Sequence, residues 1–289
     1  MSPWLAWTLV AVFSWGLWAV LSRGLGEALS PGLSQALSTL GLIPLMIPLL
    51  WRRAAQLRHA SVRGSIQALG GGVVTCLGNV AYYAALNRGG KAATVVTLAA
   101  LAPLVTVGLS LLLLRERLNR LQAAGVAGSL VALWLFNVPP DDGILSPAVT
   151  YALVPIMLFG LSGFLQKLAT NHLDGEVAAV WYLGAFVPVG LWYGLSEPWP
   201  AIVSVRTWAL VIGLGFFLAL GNFAVLAAFA RGGKAAVISP LSNLFPLVSL
   251  PLLLLLGETI GQREWLGIAV ALLAAVGLAW ESPVAKKPA

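Results

Sequence analysis

The chain has 289 residues, of which 59% are hydrophobic and only 9% are charged. A soluble domain carries charge on roughly a quarter of its residues, so this composition excludes an ordinary soluble protein. The net charge of +7 does not indicate a nucleic-acid partner, because the basic residues fall in short segments between apolar stretches rather than in one patch. These apolar stretches have roughly the twenty residues that are needed to cross a hydrocarbon core.

The sequence predicts an all-α integral membrane fold with ten transmembrane helices. Helices are expected because backbone groups in hydrocarbon must be hydrogen bonded within the segment, and runs such as 109–114 lack the alternation of a barrel strand. The first span is predicted to be retained, since no basic residue precedes it. The predicted spans are 3–22, 31–51, 66–87, 92–114, 118–137, 147–168, 176–195, 207–230, 235–256 and 264–281.

Lysine and arginine predict the orientation of these spans. Twelve of the 17 basic residues fall on the side that carries both termini, and five fall on the other side. Basic residues concentrate in cytoplasmic loops, so both termini are predicted to be cytoplasmic.

The chain contains an internal repeat. The segment from Gly78 to Ala93 returns 143 residues later, from Gly221 to Ala236. The match defines two five-span units, 1–140 and 145–283. Because five is odd, the second unit must be inverted relative to the first, an arrangement that is typical of secondary transporters.

Four features carry a resemblance to a known family, and three of them occur in both units. They are Trp15-Gly16 in the first helix, the Arg-Gly-Gly-Lys-Ala-Ala turns at 88–93 and 231–236, the prolines Pro103 and Pro246, and the later Glu116 and Glu258. The chain resembles the drug/metabolite transporter superfamily in its ten-span form with two EamA-type repeats. Within it, the chain looks most similar to bacterial exporters of aromatic and other neutral amino acids. The resemblance implies a bacterial inner-membrane transporter with spans 1–4 and 6–9 around a cavity and spans 5 and 10 outside.

The distribution of charge predicts a neutral cavity. All ten acidic residues lie at span ends or in loops, and no lysine or arginine lies near a span centre. Buried charge in a membrane is costly, so a neutral or zwitterionic small-molecule substrate is expected. Neither a cofactor nor a metal is expected. A membrane enzyme is disfavoured because His59 and His172 lie in loops and Cys76 has no evident catalytic partner. The oligomeric state stays open, and a monomer is compatible with the sequence.

Candidate substrate-binding residues form polar stripes on three spans, together with deeply placed tryptophans. Helical spacing puts each stripe on one face. Packing between helices is an alternative role for every one of these side chains. The candidates are Gln35, Ser38 and Thr39 on span 2, Asn79, Tyr82 and Tyr83 on span 3, Ser239, Ser242 and Asn243 on span 9, and Trp15, Trp18 and Trp181.

Pro103 and Pro246 are predicted to be hinges, because a mid-span proline frees a carbonyl and kinks the helix. They are equally compatible with static bends. Together these features predict a secondary exporter of neutral and aromatic amino acids that works by alternating access, and purely facilitative transport is compatible with them. An exporter of another neutral metabolite or drug-like compound is the alternative, and a channel is a weaker one.

Overall fold

The computed structural model describes residues 2–25, 28–87, 102–137, 147–255 and 261–280. Within these ranges the chain forms helices and short connections, with no strand. The helices are α1 (Pro3–Leu25) in span 1; α2 (Pro31–Ser38), a 3₁₀ turn (Thr39–Leu42) and α3 (Ile43–Arg58) in span 2; α4 (Val62–Asn87) in span 3; α5 (Pro103–Leu113) in span 4; α6 (Arg120–Asn137) in span 5; α7 (Pro147–Thr170) in span 6; α8 (Gly175–Gly184) and α9 (Phe186–Ser196) in span 7; α10 (Val205–Ala230) in span 8; α11 (Ala235–Ser242) and α12 (Pro246–Leu255) in span 9; and α13 (Gln262–Ala279) in span 10.

The predicted all-α membrane fold with ten transmembrane helices is confirmed. Five helical segments are individually long and apolar enough to cross a membrane, and three shorter apolar helices accompany them. The five are Pro3–Ser22, Pro31–Arg58, Leu153–Thr170, Gly175–Ser196 and Val205–Ala230. The first part of the predicted fourth span, residues 92–101, lies outside the described residues.

Large apolar side chains cover the outside of the bundle. Leu112, Leu255 and Leu273 are 77%, 84% and 75% exposed. A soluble monomer rarely exposes wide apolar surface, whereas a helix that faces lipid requires it. The interior is instead rich in alanine, glycine and small polar residues, which allow helices to approach closely.

Two of the prolines are the first residues of helices. Span 9 is interrupted at residues 243–245, and Pro246 is the first residue of α12, while Pro103 is the first residue of α5. Proline suits this position because the first residue of a helix needs no hydrogen bond from its nitrogen. The sequence predicted kinks within continuous helices. In span 9 the structure instead shows two half-helices, because three turn residues separate them.

The two units pack crosswise. Span 1 lies along span 8, and the equivalent span 6 lies along span 3, while spans 5 and 10 pack on each other. Several close approaches are reciprocal: a β-carbon on Gly16 would collide with Val248, and one on the equivalent Gly160 would collide with Val105. A second reciprocal pair joins Gly72 to the Tyr182 carbonyl and Gly215 to the Ser38 carbonyl. Equivalent helices therefore meet at equivalent glycines, as an inverted repeat requires.

These contacts predict the outcome of a matched pair of glycine substitutions. Gly160→Ala places a methyl group against Val105 and the Ala102 carbonyl. Overpacking of this kind costs about 1–3 kcal/mol, so the thermal midpoint of the purified protein should fall. Gly108→Ala in α5 is the control, because nothing lies within 4 Å of its added β-carbon, and its midpoint should stay the same or rise. Equal losses in the two variants would contradict the crosswise packing.

Candidate functional site

A cavity lies in the centre of the bundle, between spans 1, 3, 4, 6, 8 and 9. Its volume is about 100 Å³, which is enough for several water molecules, since one water occupies roughly 10–15 Å³ on this measure. Both repeat units contribute to it. The lining residues are Trp15, Trp18, Thr75, Asn79, Tyr82, Ala102, Thr106, Phe159, Ser162, Gly163, Gln166, Leu218, Asn222, Val225, Phe229, Ser239, Ser242, Asn243 and Phe245.

The structure places seven of the twelve candidate residues in this lining and five outside it. Those in the lining are Trp15, Trp18, Asn79, Tyr82, Ser239, Ser242 and Asn243. Those outside the lining are Gln35, Ser38, Thr39, Tyr83 and Trp181. Span 2 and span 7 contribute no residue to the lining, and Tyr83 of span 3 packs against Tyr82 without lining the cavity itself. Pro103 and Pro246 are not in the lining either, although each is next to a residue that is.

The polar stripe of span 9 makes hydrogen bonds next to the point where that span is interrupted. Ser242 Oγ and Asn243 Nδ2 both donate to the Ser239 carbonyl, at 3.1 and 2.9 Å. That carbonyl also accepts the backbone N–H of Asn243 at 3.2 Å, so the two side chains add hydrogen bonds to the last turn of α11. Ser242 and Asn243 therefore line the cavity and also stabilise the local shape of its wall.

Gln35 acts on the cavity through Asn79. Asn79 Nδ2 donates to Gln35 Oε1 at 2.9 Å, and Gln35 Nε2 contacts Cys76 Sγ at 3.5 Å. Ser38 and Thr39 donate to the Gln35 carbonyl at 2.9 and 3.0 Å, where span 2 changes to a 3₁₀ turn. The polar stripe on span 2 thus positions the Asn79 side chain and hydrogen bonds to the Gln35 carbonyl. It does not form part of the cavity wall.

Aromatic rings supply much of the apolar wall. Trp18 and Tyr82 pack with ring centroids 5.3 Å apart, and Tyr83 lies 5.5 Å behind Tyr82. Trp15 and Phe159 occupy equivalent positions in the two repeat units, and both line the cavity. Each of them also packs against a glycine of the other unit, Gly221 and Gly78 respectively.

A buried hydrogen-bond network forms the polar side of the cavity, and its centre is Tyr182 of span 7. The Tyr182 hydroxyl lies 2.5 Å from Thr75 Oγ1 and 3.1 Å from Ser162 Oγ, and it donates to Asn222 Oδ1 at 3.0 Å. Gln166 Nε2 donates to the same Asn222 oxygen at 3.1 Å. The network joins the two repeat units, because Thr75 belongs to the first and the other four to the second.

The substrate-binding residues predicted from the sequence do not include Ser162, Gln166 or Tyr182. Ser162 and Gln166 are four residues apart, so they share a helical face, and this spacing could have identified them. Tyr182 offered no such signal, because it has no neighbouring polar residue on its own helix face.

The cavity wall is uncharged. Among the described lining residues, none is Asp, Glu, Lys, Arg or His. Lys167 follows the lining residue Gln166 in the sequence but does not line the cavity itself. Its Nζ donates to the Gly233 carbonyl at 2.9 Å and lies 5.7 Å from the centre of the Phe229 ring.

The end of the bundle that carries Glu116 is closed by contacts between the two units. The Glu116 carboxylate accepts hydrogen bonds from the backbone nitrogens of Ala235 and Ala236, at 2.9 and 2.8 Å. It therefore caps the N-terminus of α11, where the helix dipole favours a negative charge. Lys234 Nζ donates to the Arg117 carbonyl beside it. At the same end, Arg53 of span 2 forms an ion pair with Glu176 of span 7 at 2.7 Å.

A helical bundle of inverted repeats around a central cavity defines the architecture of a membrane transporter. The chain belongs to the EamA-like transporter family, whose model matches residues 2–138 and 146–280. It is therefore a multi-pass membrane protein that transports small molecules. A crystal structure with 20% sequence identity superposes with a TM-score of 0.77, covering 96% of this chain and 96% of the other. At that identity the similarity shows the fold alone. The comparison with curated proteins gives no match.

The network around Tyr182 predicts a stability effect. Tyr182→Phe removes the hydroxyl that joins Thr75, Ser162 and Asn222, and each lost buried hydrogen bond costs about 1 kcal/mol. The thermal midpoint should fall by several degrees. Tyr193→Phe, at a partly exposed tyrosine of the same span, should leave it unchanged. If both variants melt like the parent protein, the network does not stabilise the junction of the units.

Proposed function

We propose that the protein exports neutral amino acids, aromatic ones included, from the cytoplasm across a bacterial inner membrane. The observation that carries this proposal is the uncharged cavity wall, which combines aromatic rings with amide and hydroxyl groups. Aromatic rings suit an apolar or aromatic side chain, and a few polar groups orient a ligand in an otherwise apolar pocket.

The absence of charge from the described lining favours a substrate whose net charge is zero. An anionic substrate would require a basic group, because burying an unpaired charge in the membrane is expensive. A zwitterion carries its own counter-charge, so the protein needs to supply only hydrogen bonds and a dipolar environment. A neutral metabolite or drug-like compound meets the same requirement and is the alternative substrate class.

The contacts at the Glu116 end support alternating access as the mechanism. They are made between the two units, so they must separate for the cavity to open at that end. The equivalent acid of the second unit, Glu258, lies outside the described residues. In an inverted repeat it belongs to the opposite end of the bundle, which would give each end its own closure. Pro103 and Pro246, which are the first residues of α5 and α12 beside the cavity, are the proposed hinges.

The orientation follows from the basic residues. The Glu116 end carries Arg53, Arg117, Lys167 and Lys234, and basic loops face the cytoplasm. The closed end is therefore proposed to be cytoplasmic, with both termini on that side.

Counterflow in proteoliposomes tests the substrate. Vesicles that contain the purified protein and a high internal concentration of L-phenylalanine, L-threonine or L-alanine should accumulate the same radiolabelled amino acid from outside, and unloaded vesicles should not. Accumulation must saturate with substrate concentration, which separates a carrier from a channel. No counterflow with any of the three would overturn the amino-acid proposal and leave the transporter family intact.

Alternating access predicts that removing the Glu116 cap opens the closed end. In a Cys76→Ala background, Ser239→Cys places a single thiol in the cavity wall. A membrane-impermeant thiol reagent, added from the Glu116 side, should label it about tenfold faster or more in Glu116→Ala, because two hydrogen bonds to a charged group are lost and each 1.4 kcal/mol is a factor of ten. Glu197→Ala, at the opposite end, is the control. Equal labelling rates in the two variants would show that Glu116 does not hold the end closed.

A further inference from the structure

Gln166 belongs to the cavity lining and carries a buried oxygen atom that has no hydrogen-bond donor. Its side chain is buried, at 3% exposure, and Oε1 accepts no hydrogen bond. A buried acceptor without a donor costs free energy, so an unpaired one in a cavity wall indicates a group that is satisfied by what enters the cavity.

The orientation of the Gln166 amide follows from its neighbours. Asn222 Nδ2 donates to the Leu218 carbonyl at 2.8 Å, which directs Asn222 Oδ1 toward Tyr182 and Gln166. Tyr182 and Gln166 both donate to that oxygen. Gln166 must therefore turn its nitrogen to Asn222, and its oxygen is the end that remains available. The hydrogen bonds that run from the Leu218 carbonyl through Asn222 to Gln166 thus leave Gln166 with a free acceptor and not a free donor.

We propose that Gln166 Oε1 binds the ammonium group of the transported substrate. The proposal deepens the proposed function, since it names the substrate group that this part of the same cavity recognises. A second lining residue, Asn79, also has a buried oxygen with no donor, so the unpaired amide groups of the two units share the same polarity. Both amide oxygens require a hydrogen-bond donor, and an ammonium group supplies three such donors.

Aromatic rings strengthen the preference for a cation over a neutral donor. Trp15, Trp18 and Phe159 line the same cavity, and the faces of such rings attract ammonium groups. Phe229 also lines it, but the Nζ of Lys167 already lies 5.7 Å from the centre of that ring and donates to the Gly233 carbonyl. An amide oxygen with aromatic faces holds an ammonium group without a buried carboxylate, and none is present in the described lining.

Three probes with one aromatic side chain test the proposal by isothermal titration calorimetry on the full-length protein. L-phenylalanine carries both charged groups, phenethylamine carries only the ammonium, and 3-phenylpropionate carries only the carboxylate. The parent protein should bind the first two and not the third. Gln166→Met keeps the length of the side chain and removes the acceptor, so it should weaken binding of both ammonium probes by about 10- to 100-fold.

Gln67→Met is the matched control. Gln67 also has a buried oxygen without a donor, but it does not line the cavity. Its replacement should leave binding of all three probes unchanged. Elution of both variants as single symmetric peaks from a size-exclusion column verifies that they fold.

The outcomes separate this proposal from the proposed function. If 3-phenylpropionate binds as tightly as L-phenylalanine, or Gln166→Met leaves ammonium binding unchanged, the ammonium site is overturned, and amino-acid counterflow stands or falls on its own. If phenethylamine binds in a Gln166-dependent way but no amino acid shows counterflow, the ammonium site is supported and the amino-acid proposal is overturned. No binding of either ammonium probe would overturn the ammonium site.

Discussion

The interior polar groups of this protein find their hydrogen-bond partners inside the bundle, because the surrounding hydrocarbon supplies none. Asn222 shows the consequence: its nitrogen binds the Leu218 carbonyl, and its oxygen receives both Tyr182 and Gln166. Such a set of linked hydrogen bonds permits few alternative arrangements of these side chains, so it fixes which of their atoms face the cavity. The chemistry of the site is therefore determined by backbone groups that lie outside it.

The two repeat units share their backbone packing and differ in their polar side chains. Gly16 and Gly160 make equivalent contacts, as do Gly72 and Gly215. Yet Tyr182, at the centre of the network, stands where the first unit has Ser38, whose hydroxyl binds only its own helix. The proposed alternating access would require two equivalent helix arrangements, and the glycines at the equivalent contacts meet that requirement. Substrate recognition occurs once in the cavity, so the polar residues are free to differ between the units.

The fold could be predicted from the sequence because each span carries its own apolar signal and the repeat fixes the relation between the units. The neutral cavity followed in the same way from charges that all lie outside span centres. The roles of individual side chains could not be predicted. Gln35 and Trp15 both lie deep in their spans, but Gln35 stands behind Asn79 and Trp15 lines the wall, because helix rotation and crossing decide which face turns inward. The periodicity of polar residues shows which of them share a helix face, but it does not show which neighbouring helix that face contacts.

The same separation between position and role applies to Glu116. It is an acid near one end of the cavity, which makes it a candidate for contact with a substrate. In the structure both of its carboxylate oxygens accept hydrogen bonds from backbone nitrogens of α11, so the side chain joins the two repeat units at that end. Its place in the sequence shows an acid near the cavity, whereas its contacts show a residue that holds helices together and does not line the wall.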